Sequence, residues 1–262
     1  NITFTESVLH VQTSISLCAE RTADPLKYIE YGATNGLKTI GFANHYWDED
    51  IPGATPWYQL QNTEHIMQIF GQVGDRSRFP IKVLIGCETE YAHGTLGISE
   101  KKAEMLDYVL VPHSHTHMNG FVLPDDCNTP EKHADYLVRS FYEVATHRMA
   151  KDYITCIVHP FVPVGRSFGE ITEILSNIPD ERYFECACAA KENDILIEIN
   201  TDCFLPSVVD DDAFAEYKRF FAQCKRAGCR FCAGSDKHDL VKDKESDPFF
   251  AVDGLAEKLG VM

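Results

Sequence analysis

The sequence predicts an α/β protein, a barrel of parallel strands folded as one domain over residues 1–262. Three observations carry this expectation. A chain of 262 residues, 44% of them hydrophobic, can bury a large core, and α/β barrels of this length commonly form one domain. Short β-rich apolar runs alternate with longer segments of helical character, the pattern of βα units around a parallel sheet. Each run also ends in, or just before, a polar side chain, and nearly all of these are metal-capable. Parallel strands of a barrel would bring such residues together at one mouth.

The first run is Ser7–Val11. A helix follows over Asp24–Asn35, with Asp24 as N-cap, Pro25 at the first helical position and Gly36 as the stop. The second run, Lys38–Ala43, leads into the Gly/Pro-containing segment Trp47–Trp57, a long loop plausibly placed over the site. Its two aromatics could stack on a ring-bearing substrate or simply pack the loop. A helix over Glu64–Val73 precedes the third and fourth runs, Ile81–Cys87 and Tyr108–Pro112. A long helix over Pro130–Ala150 comes before Ile154–Val158, the fifth. Ile195–Ile199 is the sixth; a helix over Asp211–Ala227, stopped by Gly228, separates it from Arg230–Ala233. Seven strands suggest a closed barrel, and no repeat, low-complexity tract or linker divides the chain.

The formal net charge of −16, without a cluster of Lys and Arg, argues against an extended nucleic-acid surface. An acidic chain can still hold an anionic substrate where bound metals reverse the local sign. The opening NITFTESVLH has neither a basic region nor an apolar signal core. No apolar run approaches the roughly 18 residues that a membrane helix needs. A first residue of Asn implies that a short preceding piece is missing. The ten cysteines are scattered through apolar segments, which suits reduced thiols in a cytoplasmic protein. Cys229 and Cys232 form one CxxC, but no second pair or nearby His completes a zinc knuckle, so strand packing is their expected role.

In chain order the metal-capable residues at the strand ends are His10, His45, Glu88, His115, His159 and the pair Asp236 and His238. Imidazoles and carboxylates suit zinc, manganese or iron, and a carboxylate can bridge two ions. One His at a strand end is usually a hydrogen-bonded structural residue; the same placement on six strands points to chemistry. His65, His133 and His147 fall within helical segments and are expected on solvated faces.

The runs LHVQTS, FANH, GCETEY, VPHSHTHM, VHP, EIN and GSDKH together resemble the ordered motifs of the PHP (polymerase and histidinol phosphatase) superfamily. The resemblance extends from His10 to His238 and lies nearest the stand-alone histidinol-phosphatase-like branch. It implies a distorted (β/α)7 TIM-like barrel, two to three divalent metal ions (zinc, manganese or iron) and phosphoesterase activity on a small phosphorylated substrate. By the same resemblance His10 is the first His of an opening HxH motif, His45 belongs to the second motif, and Glu88 is the bridging carboxylate. His115 is the next ligand, with His113 as an alternative, and His159, Asp236 and His238 complete the set.

Two departures stand out. Gln12 occupies the second His position of HxH, and a neutral amide is a weak ligand, so one metal position should be weakened. Cys18 stands where the family has a His or Asp. It is either a thiolate ligand that favours zinc or a small packing side chain.

The implied mechanism is attack on phosphorus by water activated on the metals, with Glu88 bridging and Asp236 orienting the water. Arg166 in the VGRSF loop, ahead of Lys237, is the candidate cation for phosphate charge. Glu198 and Asn200 are expected to support the ligands from behind. The alternatives are C–N bond hydrolysis of the amidohydrolase type on the same site, or a degenerate metal-binding protein without catalysis.

Overall fold

A computed structural model describes residues 6–239, 247 and 250–262. Its strands are β1 (Ser7–Val11), β2 (Thr39–His45), β3 (Lys82–Glu88), β4 (Tyr91–Ala92), β5 (Thr95–Leu96), β6 (Val109–Pro112), β7 (Cys156–Val158), β8 (Leu196–Asn200) and β9 (Phe231–Gly234). The helices are α1 (Pro25–Thr34), α2 (Pro56–Gln59), α3 (Thr63–Val73), α4 (Glu100–Ala103), α5 (Pro130–Ala145), α6 (Ala150–Tyr153), α7 (Phe168–Leu175), α8 (Asp180–Glu192), α9 (Thr201–Phe204), α10 (Asp211–Ala227) and α11 (Val252–Leu259).

Seven strands form one sheet in the order β1-β2-β3-β6-β7-β8-β9, with every pairing parallel. β1 and β9 meet at a bridge between Val11 and Lys237, where the Gln12 N–H donates to the Lys237 carbonyl at 2.9 Å. This contact nearly closes a barrel. It also carries the chain ends of the site, His10 and Asp236, to the same seam. Each of the seven apolar runs read from the sequence became one strand of this sheet, the first with the same bounds and the others with ends moved by at most two residues.

Inside the barrel, Tyr108, Leu110, Cys156, Val158 and Cys232 pack with Ala43. Tyr108 fills much of this space because Gly41 and Gly86 face it; a Cβ at either position would collide with the tyrosine. The Tyr108 hydroxyl donates to the Leu9 carbonyl at 2.5 Å, satisfying a phenol that burial would otherwise penalise. Cys156 and Cys232 approach to 2.8 Å across this interior, whereas the Cys229 thiol turns outward to the Ala187 carbonyl. The two cysteines of the CxxC therefore serve different packing layers.

Outside the barrel, α5, α7, α8 and α10 cover the later strands through a large apolar core. A second cluster under α1 and α3 covers β1 to β3. The expected helix over Pro130–Ala150 ends at Ala145, and a separate turn of helix begins at Ala150. Several helices escaped the sequence reading, the short α2, α4 and α9, the C-terminal α11, and α7 and α8 on this face. Helix α7 opens with a full capping box, Ser167 and Glu170 bonding each other's backbone. The buried face of α8 is built from small residues, Cys186, Ala187, Ala189 and Ala190, beside Tyr183, which blunts its helical period.

Candidate metal centre

The C-terminal ends of the barrel strands converge on Glu88. This carboxylate, fully buried at the end of β3, has the Nε2 atoms of His10, His159 and His115 at 3.2, 3.1 and 3.5 Å. Asp236 joins from beyond β9, its Oδ1 3.2 Å from His10 Nε2. His159 and Asp236 both adopt left-handed backbone angles, with φ of 29° and 47°. Such strain in non-glycine residues persists where the surroundings fix it, and it concentrates at functional sites.

Four of the five imidazoles are held from behind. His10 donates Nδ1–H to Glu198 Oε1 at 2.6 Å, and His115 donates Nδ1–H to Glu90 Oε2 at 2.6 Å. Ser114 gives its hydroxyl hydrogen to the His159 carbonyl, so its oxygen accepts from His159 Nδ1 at 3.0 Å. His238 Nδ1 lies 2.5 Å from the Asp236 carbonyl. In all four rings the outer nitrogen is occupied as a donor, which reserves Nε2 as the ring atom that a metal would take in exchange for a proton. Gly234 makes this arrangement possible on one side, since a Cβ there would overlap the Glu198 carboxylate.

The eight residues expected to hold metal fall into three groups of donor atoms: His10 with Glu88 and Asp236, Glu88 with His115 and His159, and Cys18 with His45 and His238. Within each group the donor atoms lie within 4.8 Å of one another. His113 stays out: its Nδ1 meets Ser140 Oγ at 3.1 Å, and its Nε2 accepts the Phe161 N–H at 2.9 Å. Burial holds its pKa down to about 3, as befits a neutral structural ring. Of the two candidates in VPHSHTHM, His115 is thus the one in the cluster.

Charge in the cluster follows from burial set against close partners. Burial disfavours the imidazolium of His10, but Glu198, Asp236 and Glu88 outweigh it and raise the pKa well above the usual value. His115 rises to about 9 against the same burial penalty, chiefly through Glu90. For His45 burial wins and the pKa falls to about 4. Burial would raise the carboxylates, yet His45 and His10 hold Glu88 well below its ordinary range, and His10 holds Asp236 near 2. The Cys18 thiol is pushed up to about 12 by burial and by Glu88 and Asp236.

Gln12 sits at the centre. Its amide nitrogen lies 3.2 Å from His45 Nε2, 3.0 Å from Glu88 Oε2 and 3.1 Å from Asp236 Oδ1, while its oxygen accepts from the Cys18 thiol at 3.3 Å. Three acceptors around one amide group amount to a concentration of negative potential, and His45 Nδ1 is buried without a hydrogen bond. Unsatisfied buried donors and converging lone pairs of N, O and S type fit divalent metal ions.

In the search of solved structures, the chain superposes on a histidinol phosphate phosphatase from Lactococcus lactis, solved with zinc, L-histidinol and phosphate. The match covers 98% of this chain and 95% of that one, with a TM-score of 0.60 and 21% identity. The two share a fold. No family model and no curated protein sequence matches the chain. The fold is thus established by shape, while the chemistry rests on the residues above.

Over the donors opens a cavity of about 520 Å³ whose lining includes His45, His115, Asp236 and His238 at its floor and Trp57, Tyr58, Met118 and Phe121 on its wall. Of the two tryptophans of the loop, Trp57 reaches this wall, its ring 5.1 Å from that of His45. Trp47 is buried beside Tyr58 and donates to the Ile51 carbonyl. His65 and His147 bond backbone at Ile15 and Met149, away from the cluster.

The structure does not bring Arg166 to this cavity. It precedes Ser167, the N-cap of α7, and its guanidinium lies 3.7 Å from Glu170 in a separate groove with His133. Gly165, at φ 87° and pressed against His117, turns the chain there. Lys237 is buried and donates to Asp247 at 2.9 Å. Glu90 and Ser114, by contrast, were not singled out in the sequence although they orient His115 and His159. Glu90 lies just past the end of β3, two residues beyond Glu88 in the same GCETEY run.

Proposed function

We propose that the chain is a metal-dependent phosphoesterase that hydrolyses small phosphomonoesters at the mouth of the barrel. The observation that carries this reading is the sharing of Glu88 between two groups of donors, with a third group beside them under the same cavity. Two to three ions of zinc, manganese or iron suit these ligands, and a Cys18 thiolate would favour zinc. When bound, such ions supply water activation and charge for the phosphoryl oxygens.

The chain's own residues do the rest. Glu198, Glu90 and Ser114 keep His10, His115 and His159 aimed inward. Asp236, ionised down to about pH 2, is placed to orient a water and accept its hydrogen bond. Among the described residues lining the cavity there is no Lys or Arg, so phosphate charge falls to the ions. The shared fold with a phosphatase solved with zinc and phosphate supports the same reading. Glu88 at the sharing position, where C–N hydrolases of this shape use a carbamylated lysine, favours phosphoester over amide chemistry.

Ten cysteines without a disulfide fit a reducing, cytoplasmic setting. Among the described residues no helix is long and apolar enough to cross a membrane. Elemental analysis together with p-nitrophenyl phosphate assays tests the reading. Two or more ions per chain, with activity lost to a chelator and restored by zinc or manganese, is the expected result. One ion or none, with no hydrolysis under any metal, overturns it.

A further inference from the structure

The wall of the cavity carries information about what the phosphate is attached to. Its volume of about 520 Å³ far exceeds a phosphate group and falls within the range of about 300–1,000 Å³ that small-molecule sites occupy. With the phosphate at the His45, His115, Asp236 and His238 end, the rest of the lining is dominated by Trp57, Tyr58, Met118 and Phe121. These four side chains form a continuous apolar and aromatic face: Trp57 and Tyr58 meet at 4.9 Å, Tyr58 and Phe121 at 6.0 Å between ring centroids, and Met118 flanks them. Tyr58 is not free to recruit a charge, because its hydroxyl is committed to Glu90 at 2.9 Å.

The only carboxylate among the described residues lining this cavity is Asp236, at the donor end. A substrate ammonium lying along the wall would give up part of its hydration and meet only aromatic faces, with no carboxylate among the described residues there to pair with it. Carboxylates do exist nearby, but in a second groove on the far side of Asp236 and His238, lined by Asp202 and Asp239. The larger cavity thus has the chemistry of a slot for an uncharged ring.

Resting on the phosphoesterase reading, we infer that the preferred substrate is a phosphate monoester of an uncharged, ring-bearing alcohol, with the ring against Trp57 and Phe121. The leaving alcohol is expelled into this slot, where apolar area and aromatic contact lower KM rather than raise the rate of the chemical step.

The test compares 3-phenylpropyl phosphate with propyl phosphate, 3-aminopropyl phosphate and L-histidinol phosphate on the zinc-loaded chain. The alkyl linker keeps leaving-group reactivity similar among the first two. The phenyl ester is expected to exceed each of the others by at least about tenfold in kcat/KM, a difference ordinary for a hydrophobic slot. Trp57→Ala and, as a milder change, Phe121→Leu should raise KM for the phenyl ester about tenfold more than for propyl phosphate. Preference for either cationic ester, or equal effects of both variants on all esters, overturns the inference and directs attention to the groove of Asp202 and Asp239. Calorimetry with 3-phenylpropylphosphonate and 3-aminopropylphosphonate separates the two levels. If no ester is hydrolysed, the phosphoesterase reading falls. Tighter binding of the phenyl phosphonate then still upholds the slot, and equal or absent binding removes it.

Discussion

Glu198 on β8 joins two residues of the cluster that stand on different strands: its Oε1 accepts the Nδ1–H of His10 at 2.6 Å, and its Oε2 accepts the backbone N–H of His159, also at 2.6 Å. One carboxylate thereby fixes a ring on β1 and the strained backbone after β7. Replacing it by glutamine keeps the shape but removes one acceptor. Glu198→Gln is expected to weaken metal binding by about 10–100-fold, the usual effect of losing a carboxylate behind a ligating imidazole. Competition with a chromogenic chelator reads this directly, and unchanged affinity would show that His10 needs no such support.

The pair Glu90 and His115 gives a pH dependence with a definite sign. In the metal-free chain His115 has its pKa raised to about 9 from an unfolded value near 6.5, despite a burial penalty, because Glu90 lies against its Nδ1. A raised folded pKa means stabilisation that is complete below about pH 6.5 and lost as pH climbs through about 9. The full shift corresponds to at most about 3 kcal/mol. Urea unfolding of metal-free protein between pH 6 and 9.5 should show this decline together with that of His10, and Glu90→Gln should remove the His115 share and leave the rest. A decline undiminished in the variant assigns the effect to groups other than His115.

How far the sequence foretold these relations depends on the distance over which each is made. The seven strands were legible because each is a short apolar run with its own boundaries, and the metal-capable residues were legible because parallel strands must end together. Glu198 was visible as a support in EIN, although its two partners lie 188 and 39 residues away. Ser114 gave no signal at all, since a serine beside a histidine is common and only the fold sets it against His159. Arg166 misled because proximity in sequence to His159 does not survive the turn at Gly165 and the cap of α7. His113 stays outside the cluster because its ring donates to Ser140 and accepts from the Phe161 N–H, contacts that no local spacing encodes.

Cys18 lies at the exposed edge of the cavity, yet partial burial of its thiol and the carboxylates of Glu88 and Asp236 raise its pKa to about 12. Only a bound cation can make it a thiolate at neutral pH. Loading the chain with cobalt should therefore produce a thiolate-to-metal absorption band in the near ultraviolet and release a proton. Cys18→Ser should abolish the band while leaving at least one metal bound through Glu88, His115 and His159. A band that survives in Cys18→Ser would place the thiolate elsewhere and leave Cys18 as packing.

Asp236 combines a carboxylate in the cluster with a left-handed backbone at φ 47°, and the two contributions can be separated by choice of substitution. Asparagine tolerates left-handed angles better than other non-glycine residues, so Asp236→Asn removes the charge with little added strain. It is expected to lower kcat by about 100-fold or more, in line with loss of a positioned acid–base group, and to lose in thermal stability only what the pairing with His10 contributes. Asp236→Ala removes the charge equally but places a residue ill suited to φ 47° at the seam between β1 and β9, with an extra cost of about 1–3 kcal/mol. Equal kcat losses with unequal melting temperatures would separate the roles of charge and backbone. A full-activity Asp236→Asn variant would remove Asp236 from the chemistry and leave it only the task of shaping the seam.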